Sequence, residues 1–396
     1  MHSLTEDHTG ARIARLRRER GLTQRGMSDL AGIPYNTYIK IEQNRLAATP
    51  YVVAQLSRAM RVEVSTILGQ PYKADLRADE LDVLIAPIRE ALDVYDLGAD
   101  PDIAPRSLPE LTAAAESLCE GVRAGEIKKV ASSVAGLIEE ATTAAHTHSS
   151  SDNWLMLASL YRTAYDVSTK LGYMDLAQLA LARLDWAAQR ASSAVFGGAY
   201  HYFRALAYLR EGKFKIGERL VDLGLRTIVQ AEASRERDVV TGQLHLGGSV
   251  MAGRARNGER AMGHLEEAER LAVSTGESPR VLWMAFGSTN VKVHRVSVLA
   301  ELNRYDKAVE AAAELRIPKD WPKSRTSHHH AEVARAQMWL GRLDDSFESL
   351  VKARKAAPQQ AKYHALVRDT YGSLEAAHRR LPGTFLSYGS WLNSAV

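Results

Sequence analysis

The sequence predicts an all-α protein in two unequal parts: a bundle of five short helices over residues 1–70 and an α-solenoid of helical hairpins over residues 107–396. Three observations predict it. At 396 residues the chain exceeds what a single hydrophobic core usually serves, so two domains or a repeat array are expected. The first seventy residues are divided by Gly21, Gly32, Pro34 and Pro50 into short apolar-periodic segments. From residue 107 onward, tight-turn residues recur at Gly125, Gly172, Gly212, Gly258, Asn303 and Gly341, separated by 38 to 47 residues, the spacing of stacked helical pairs.

The N-terminal elements follow in order. Ala11–Glu19 carries Ile13 and Leu16 at helical spacing and stops at Gly21. Thr23 can cap a second helix that runs to Ala31 and ends at Gly32. Pro34 suits the first turn of a third helix, Pro34–Glu42, because an amide there would have no intrahelical partner. That helix opens on polar side chains, Tyr35, Asn36 and Thr37, and turns apolar at Ile39 and Ile41. After a loop closed by Pro50 come Val52–Met60 and a last turn, Ser65–Leu68.

Charge separates this region from the rest. Residues 1–70 hold ten Lys/Arg and six Asp/Glu, whereas residues 71–396 hold 41 of each sign. The whole formal excess of +4 therefore lies in the small N-terminal domain, as expected if that domain meets a polyanion.

The run from Arg12 to Asn44, RIARLRRERGLTQRGMSDLAGIPYNTYIKIEQN, followed by LSRAMRVEVSTILG, resembles the helix-turn-helix of the phage-repressor or Xre family. The matching positions include Leu16, Arg17, Gly21, Thr23, Gln24, Gly32, Ile41, Glu42, Leu56 and Leu68. The resemblance implies that Thr23–Ala31 crosses the phosphate backbone of operator DNA while Pro34–Glu42 enters the major groove. It places Tyr35, Asn36 and Lys40 at base-reading positions, and Gln24, Thr37 and Gln43 at phosphate-contacting ones, with Thr23 a further candidate. Asn can pair with adenine through two hydrogen bonds and Lys can donate to guanine. The same resemblance implies a structural ion pair between Arg17 and Glu42, and a homodimer on a near-palindromic site. Gly26, Met27 and Ser28 depart from the family pattern without removing a contact.

Residues 71–106 are expected to be a linker, with prolines at 71, 87, 101 and 105 and a helix broken or kinked at Pro87. In the array that follows, the segments around Ala334, Gly341, Leu343, Ala353 and Pro358, and around Ala205, Tyr208, Gly212 and Phe214, resemble tetratricopeptide repeats lengthened beyond their usual period. Such repeats line a concave groove with the first helix of each hairpin. Mapping them onto the chain turns Arg162, Asp166, Tyr202, Arg210, Asn290, Ser297 and Arg335 toward that groove as candidate ligand-binding residues for a peptide or small-molecule effector. Trp154, Tyr161, Tyr208 and Trp339 are expected in the core.

No phosphate-binding loop, zinc motif or nucleophile elbow occurs, so neither an enzyme, nor a cofactor, nor a metal is expected. His328, His329 and His330 are consecutive and point about 100° apart on a helix, which suits a polar helix start better than a metal site. The single cysteine, Cys119, reads as a reduced core residue. No apolar run approaches the roughly 18–20 residues that span a bilayer, and no signal peptide opens the chain, so a cytoplasmic protein without membrane partners is expected. The domain order resembles that of peptide-responsive regulators of Gram-positive bacteria and of actinobacterial helix-turn-helix proteins with tetratricopeptide repeats. The leading expectation is therefore a sequence-specific transcriptional regulator, and the alternative is an adaptor whose repeats recruit a partner protein.

Overall fold

The computed structural model describes residues 8–70, 78–278, 280–377 and 382–393, without the side chains of 78–82. The N-terminal bundle comprises α1 (Thr9–Glu19), α2 (Gln24–Ala31), α3 (Tyr35–Glu42), α4 (Pro50–Met60) and α5 (Val64–Leu68). Its punctuation is local. The Thr23 hydroxyl accepts the Gly26 amide at the head of α2, Gly32 ends that helix in the left-handed region, and Thr49 caps α4 with Pro50 next in line. Ile13, Met27, Tyr38, Ile41, Leu56 and Ile67 form the core. Arg12 is buried between α1 and α5, where its guanidinium donates to the carbonyls of Ile67 and Leu68.

The next helix, α6 (Ala78–Asp93), runs unbroken through Pro87. Proline removes one backbone hydrogen bond, and burial of Ile85, Ile88, Ala91 and Leu92 in the largest core of the molecule offsets that loss. α6 thus belongs to the packed helical layer upstream of residue 107. The stretch 71–77 of the expected linker lies outside the described residues.

Six hairpins follow: α7 (Leu108–Ala124) with α8 (Ile127–Thr147), α9 (Ser151–Leu171) with α10 (Met174–Arg190), α11 (Ala194–Arg210) with α12 (Phe214–Ile228), α13 (Arg235–Arg254) with α14 (Gly258–Thr275), α15 (Ser288–Glu301) with α16 (Tyr305–Glu314), and α17 (Lys323–Trp339) with α18 (Leu343–Ala356). Five of the six expected turn residues adopt left-handed angles; in the fourth hairpin Arg256 does so instead, and Gly258 opens α14. Three shorter helices, α19 (Pro358–Tyr363), α20 (Ala365–Ala377) and α21 (Gly383–Asn393), complete an all-α helical repeat solenoid. Cys119, Trp154 and Tyr161 are buried as expected.

The array closes on itself. α17 packs against α7, and α19 against α9. Gln359 accepts the Lys128 amide at 3.1 Å, and Gln360 accepts the Lys170 ammonium at 2.6 Å. A segment between α14 and α15 also crosses to the first hairpins. It is pinned by paired hydrogen bonds between Ser278 and Phe286, and at its tip the carbonyls of Leu282 and Trp283 accept from Arg162 and that of Trp283 from Arg123. Among the described residues no helix is long and apolar enough to cross a membrane.

The N-terminal bundle is seated on this ring. Tyr51 and Ala54 of α4 join an apolar cluster with Leu209, Phe214 and Met251, and the Arg256 guanidinium lies 4.7 Å from the centre of the Tyr51 ring. Thr9 donates to Asp369, and Asn44 donates to the Gly372 carbonyl at 2.8 Å.

Candidate functional site

Two places on the molecule carry polar groups that the fold itself does not use. The first is the outer edge of the N-terminal bundle. Asn36, Lys40 and Gln43 are exposed, Thr37 is half-buried, and none of these side chains takes a hydrogen bond among the described residues. Tyr35, also half-buried, lies under the Arg25 guanidinium at 5.1 Å. Thr23 spends its hydroxyl on capping α2, though it remains exposed. Gln24 donates to Glu42 at 2.7 Å, so one of its two amide hydrogens supports the core and one remains outward.

The rigidity of that edge comes from an ion pair beneath it. Arg17 meets Glu42 through two bonds, at 2.7 and 3.1 Å, and also donates to the Leu22 carbonyl. Tyr38, fully buried, adds a third donor to the same carboxylate at 2.5 Å. Burial alone would raise the Glu42 carboxyl, but the bonds from Arg17, Gln24 and Tyr38 outweigh it and hold the group below its ordinary value. The Arg17–Glu42 pair forms as the family resemblance implied. Tyr38, one helical turn before Glu42, was not among the expected partners.

The second place is a half-open chamber of about 1010 Å³ bordered by the ring and, on the side of the N-terminal bundle, by Pro50, Val53, Glu63, Val64, Ser65 and Leu68. Of the expected groove residues it is lined by Tyr202, Arg210 and Ser297. The other four are not among its lining residues. Arg162 pairs with Asp166 at 3.2 Å and is covered by the carbonyls of Leu282 and Trp283. Asn290, 1% exposed, donates to the Ala285 carbonyl and accepts from Arg325. Arg335 is fully buried between Glu301 and Glu332, at 3.1 and 2.8 Å. In each case the chain's own groups occupy the place assigned to a ligand.

The displaced residues share faces with ones that do reach the chamber. Arg162, Asp166 and Lys170 form one stripe at four-residue spacing along α9, and Lys170 enters the chamber. On α15, His294 lies one turn beyond Asn290; on α17, Arg325 and His328 precede Arg335 by two to three turns. Following each stripe along its helix would have found them. His328, His329 and His330 stand inside α17 rather than at a polar helix start, and His328 shares a hydrogen bond with His364 at 2.9 Å.

Electrostatics differ between the chamber's two sides. Arg254 and Arg335 share Glu301, and the two carboxylates raise the Arg335 guanidinium against the effect of burial. Lys170 is pushed down to about 8 by burial, with Asp166 opposing and Arg210, Arg325 and Arg162 adding to the fall. Burial also lowers His294 to about 3 and His364 to about 4, so both are neutral at physiological pH beside that positive cluster.

Residues 13–67 match the family model described as helix-turn-helix, and this segment is an Xre-type helix-turn-helix domain, which supports a DNA-binding transcription regulator. No curated protein matches the chain. A crystal structure of BtubC (BKLC) from P. vanneervenii is similar at 14% identity and a TM-score of 0.37, covering 63% of this chain and 91% of that one.

Proposed function

We propose that the protein is a sequence-specific transcription regulator in which α3 reads operator bases and the helical hairpins, tetratricopeptide-like in their turns, bind a peptide or small-molecule signal and join two copies of the chain. One observation carries this reading: the edge bearing Asn36 and Lys40 is free and exposed, while the opposite face of the same domain borders the chamber. A ligand in the chamber therefore touches the DNA-binding domain directly. It would act by favouring one placement of that domain over another, and so one spacing of the two recognition helices, about 34 Å apart on a two-fold site.

The test is selection of genomic fragments by the purified full-length protein, with and without cell extract, followed by titration of the best fragment. Affinity is expected to fall steeply between low and moderate salt, because phosphate contacts release counterions. Asn36→Ala is expected to cost ~1–3 kcal/mol on the best site and to relax preference at one base position. Equal affinity for scrambled and selected fragments at every salt concentration would reject base reading and favour the adaptor.

A further inference from the structure

We propose that the chamber is a binding site for a small organic anion whose carboxylate or phosphate groups sit among Lys170, Arg210 and Arg325, against the underside of the helix-turn-helix domain. The inference deepens the signal-binding half of the regulator reading and rests on it only for the last step, transmission to DNA.

The carboxylates that line the chamber are mostly committed elsewhere. Asp175 pairs with Arg89 at 2.8 Å, Glu211 with Lys213 at 2.7 Å, Glu301 with Arg254 and Arg335, and Glu332 with Arg335. Asp369 accepts from Thr9, and its carboxyl is raised by burial. Asp166, the acid that attracts the Lys170 ammonium, is held by Arg162. That leaves three cations facing the chamber with only neutral partners among the described residues. Lys170 donates to Gln360, Arg210 to the Tyr165 hydroxyl at 2.9 Å, and Arg325 to the Asn290 oxygen at 2.7 Å.

Such an arrangement is costly without a counter-charge. Clustered cations repel one another, and the fall of the Lys170 ammonium reports that repulsion together with its burial. The Arg325 Nε is buried with no acceptor, so a donor is left over in the same cluster. An oxyanion supplies the missing charge, and guanidinium groups bind carboxylate and phosphate through paired charge-assisted bonds. The volume, about 1010 Å³, exceeds what an anionic head alone would fill. Leu206, Leu209 and Val250 supply apolar wall for an organic body, the usual composition of a small-molecule pocket. The cations and the domain residues Glu63 and Ser65 border one space, so an occupant can contact both.

The experiment uses the full-length protein, citrate and inorganic phosphate as probes, and chloride at matched ionic strength as the reference. Thermal midpoint is measured against probe concentration for the native chain, Lys170→Gln, Arg325→Gln, and Lys292→Gln as an exposed control outside the chamber. The expected result is a saturating rise in midpoint at millimolar probe, at least tenfold weaker in the two chamber variants and unchanged in the control. Lys170→Gln is also expected to melt no lower than the native chain in probe-free buffer, because it relieves repulsion. A rise that grows linearly without saturation, or one retained by the Lys170→Gln/Arg325→Gln double variant, overturns the proposal, as does absence of any rise for both probes. Retention of operator fragments by the untreated protein is scored separately, so failure of anion binding leaves the DNA reading standing, and failure of DNA binding leaves the anion site standing.

Discussion

The Arg17 and Lys170 regions treat buried positive charge in opposite ways. Beneath the recognition helix, Arg17 is matched by a carboxylate that also takes bonds from Gln24 and Tyr38. In the chamber, Lys170 and Arg325 have only neutral hydrogen-bond partners among the described residues, the amides of Gln360 and Asn290 and the His294 ring. The first arrangement fixes geometry: it holds Asn36 and Lys40 on a stiff support and asks nothing of a ligand. The second leaves an electrostatic cost that a ligand can relieve. Paired charge marks where this protein is rigid, and unpaired charge marks where it is receptive.

The largest effect that sharpens this contrast is expected from removing a paired cation. Arg335→Ala strands Glu332 and leaves Glu301 to Arg254 alone, the two carboxylates being 3% and 2% exposed, and should destabilise the solenoid by about 3–5 kcal/mol. Arg17→Ala should cost the helix-turn-helix domain a similar amount, since Glu42 is 8% exposed and loses its bidentate partner. Two-probe melting, with helicity for the whole chain and operator binding for the domain, separates the two. An unchanged midpoint for either variant would show that the pair in question does not hold its domain.

A smaller effect tests how the domain sits on the ring. Gly212 turns between α11 and α12 with φ of +70°, and a Cβ there would lie 2.4 Å from the Cβ of Ala54. Gly212→Val therefore faces both backbone strain, of order 1–3 kcal/mol, and a direct clash with α4. The expected outcome is a helix-turn-helix domain released from the ring: faster proteolytic separation of the domain from the ring, and operator binding that no longer responds to chamber ligands. A variant that keeps the native cleavage rate would show that the seat does not depend on this contact.

The helix-turn-helix domain was legible in the sequence because its signals are local. Thr23, Gly32, Thr49 and Pro50 act within a turn of where they stand, and the helices begin and end within a few residues of the expected limits. The hairpin turns were legible for the same reason, except in the fourth hairpin, where Arg256 and not the expected Gly258 takes the left-handed angle. The chamber was only partly legible. Periodicity identifies the inner face of each helix, which is why Tyr202, Arg210 and Ser297 lie where a groove was expected. It carries no information on how far along that face the open space extends. That limit is set by contacts between distant residues: the return of α19 onto α9, and the segment around Leu282 that covers Arg162. Asn290 and Arg335 were misplaced by this, and Lys170 and Arg325 were overlooked.

The smallest expected effect is the pH dependence of stability, and the pH window in which it appears distinguishes the two treatments of charge. Glu42 titrates below the ordinary carboxyl value of 4.5, so in the unfolded chain it takes up a proton at higher pH than in the folded one. Its contribution is present in full above that value and is lost as pH falls through the lower, folded one. Glu301, lowered by Arg335 and Arg254 against the effect of burial, follows the same course. Chamber Lys170 is lowered as well, but there it is the charged form that burial and its neighbours penalise, so its cost is full below about 8 and is relieved as pH rises from there toward the ordinary value of 10.5. Melting from pH 3 to pH 9 should therefore show a midpoint that climbs as pH rises through the carboxyl range, levels off, and gains a further small increment above about pH 8. Lys170→Gln should erase the upper increment and leave the lower climb intact. Loss of both together would mean that the cation cluster and the carboxylate network are one electrostatic unit, and the distinction between rigid and receptive charge would fail.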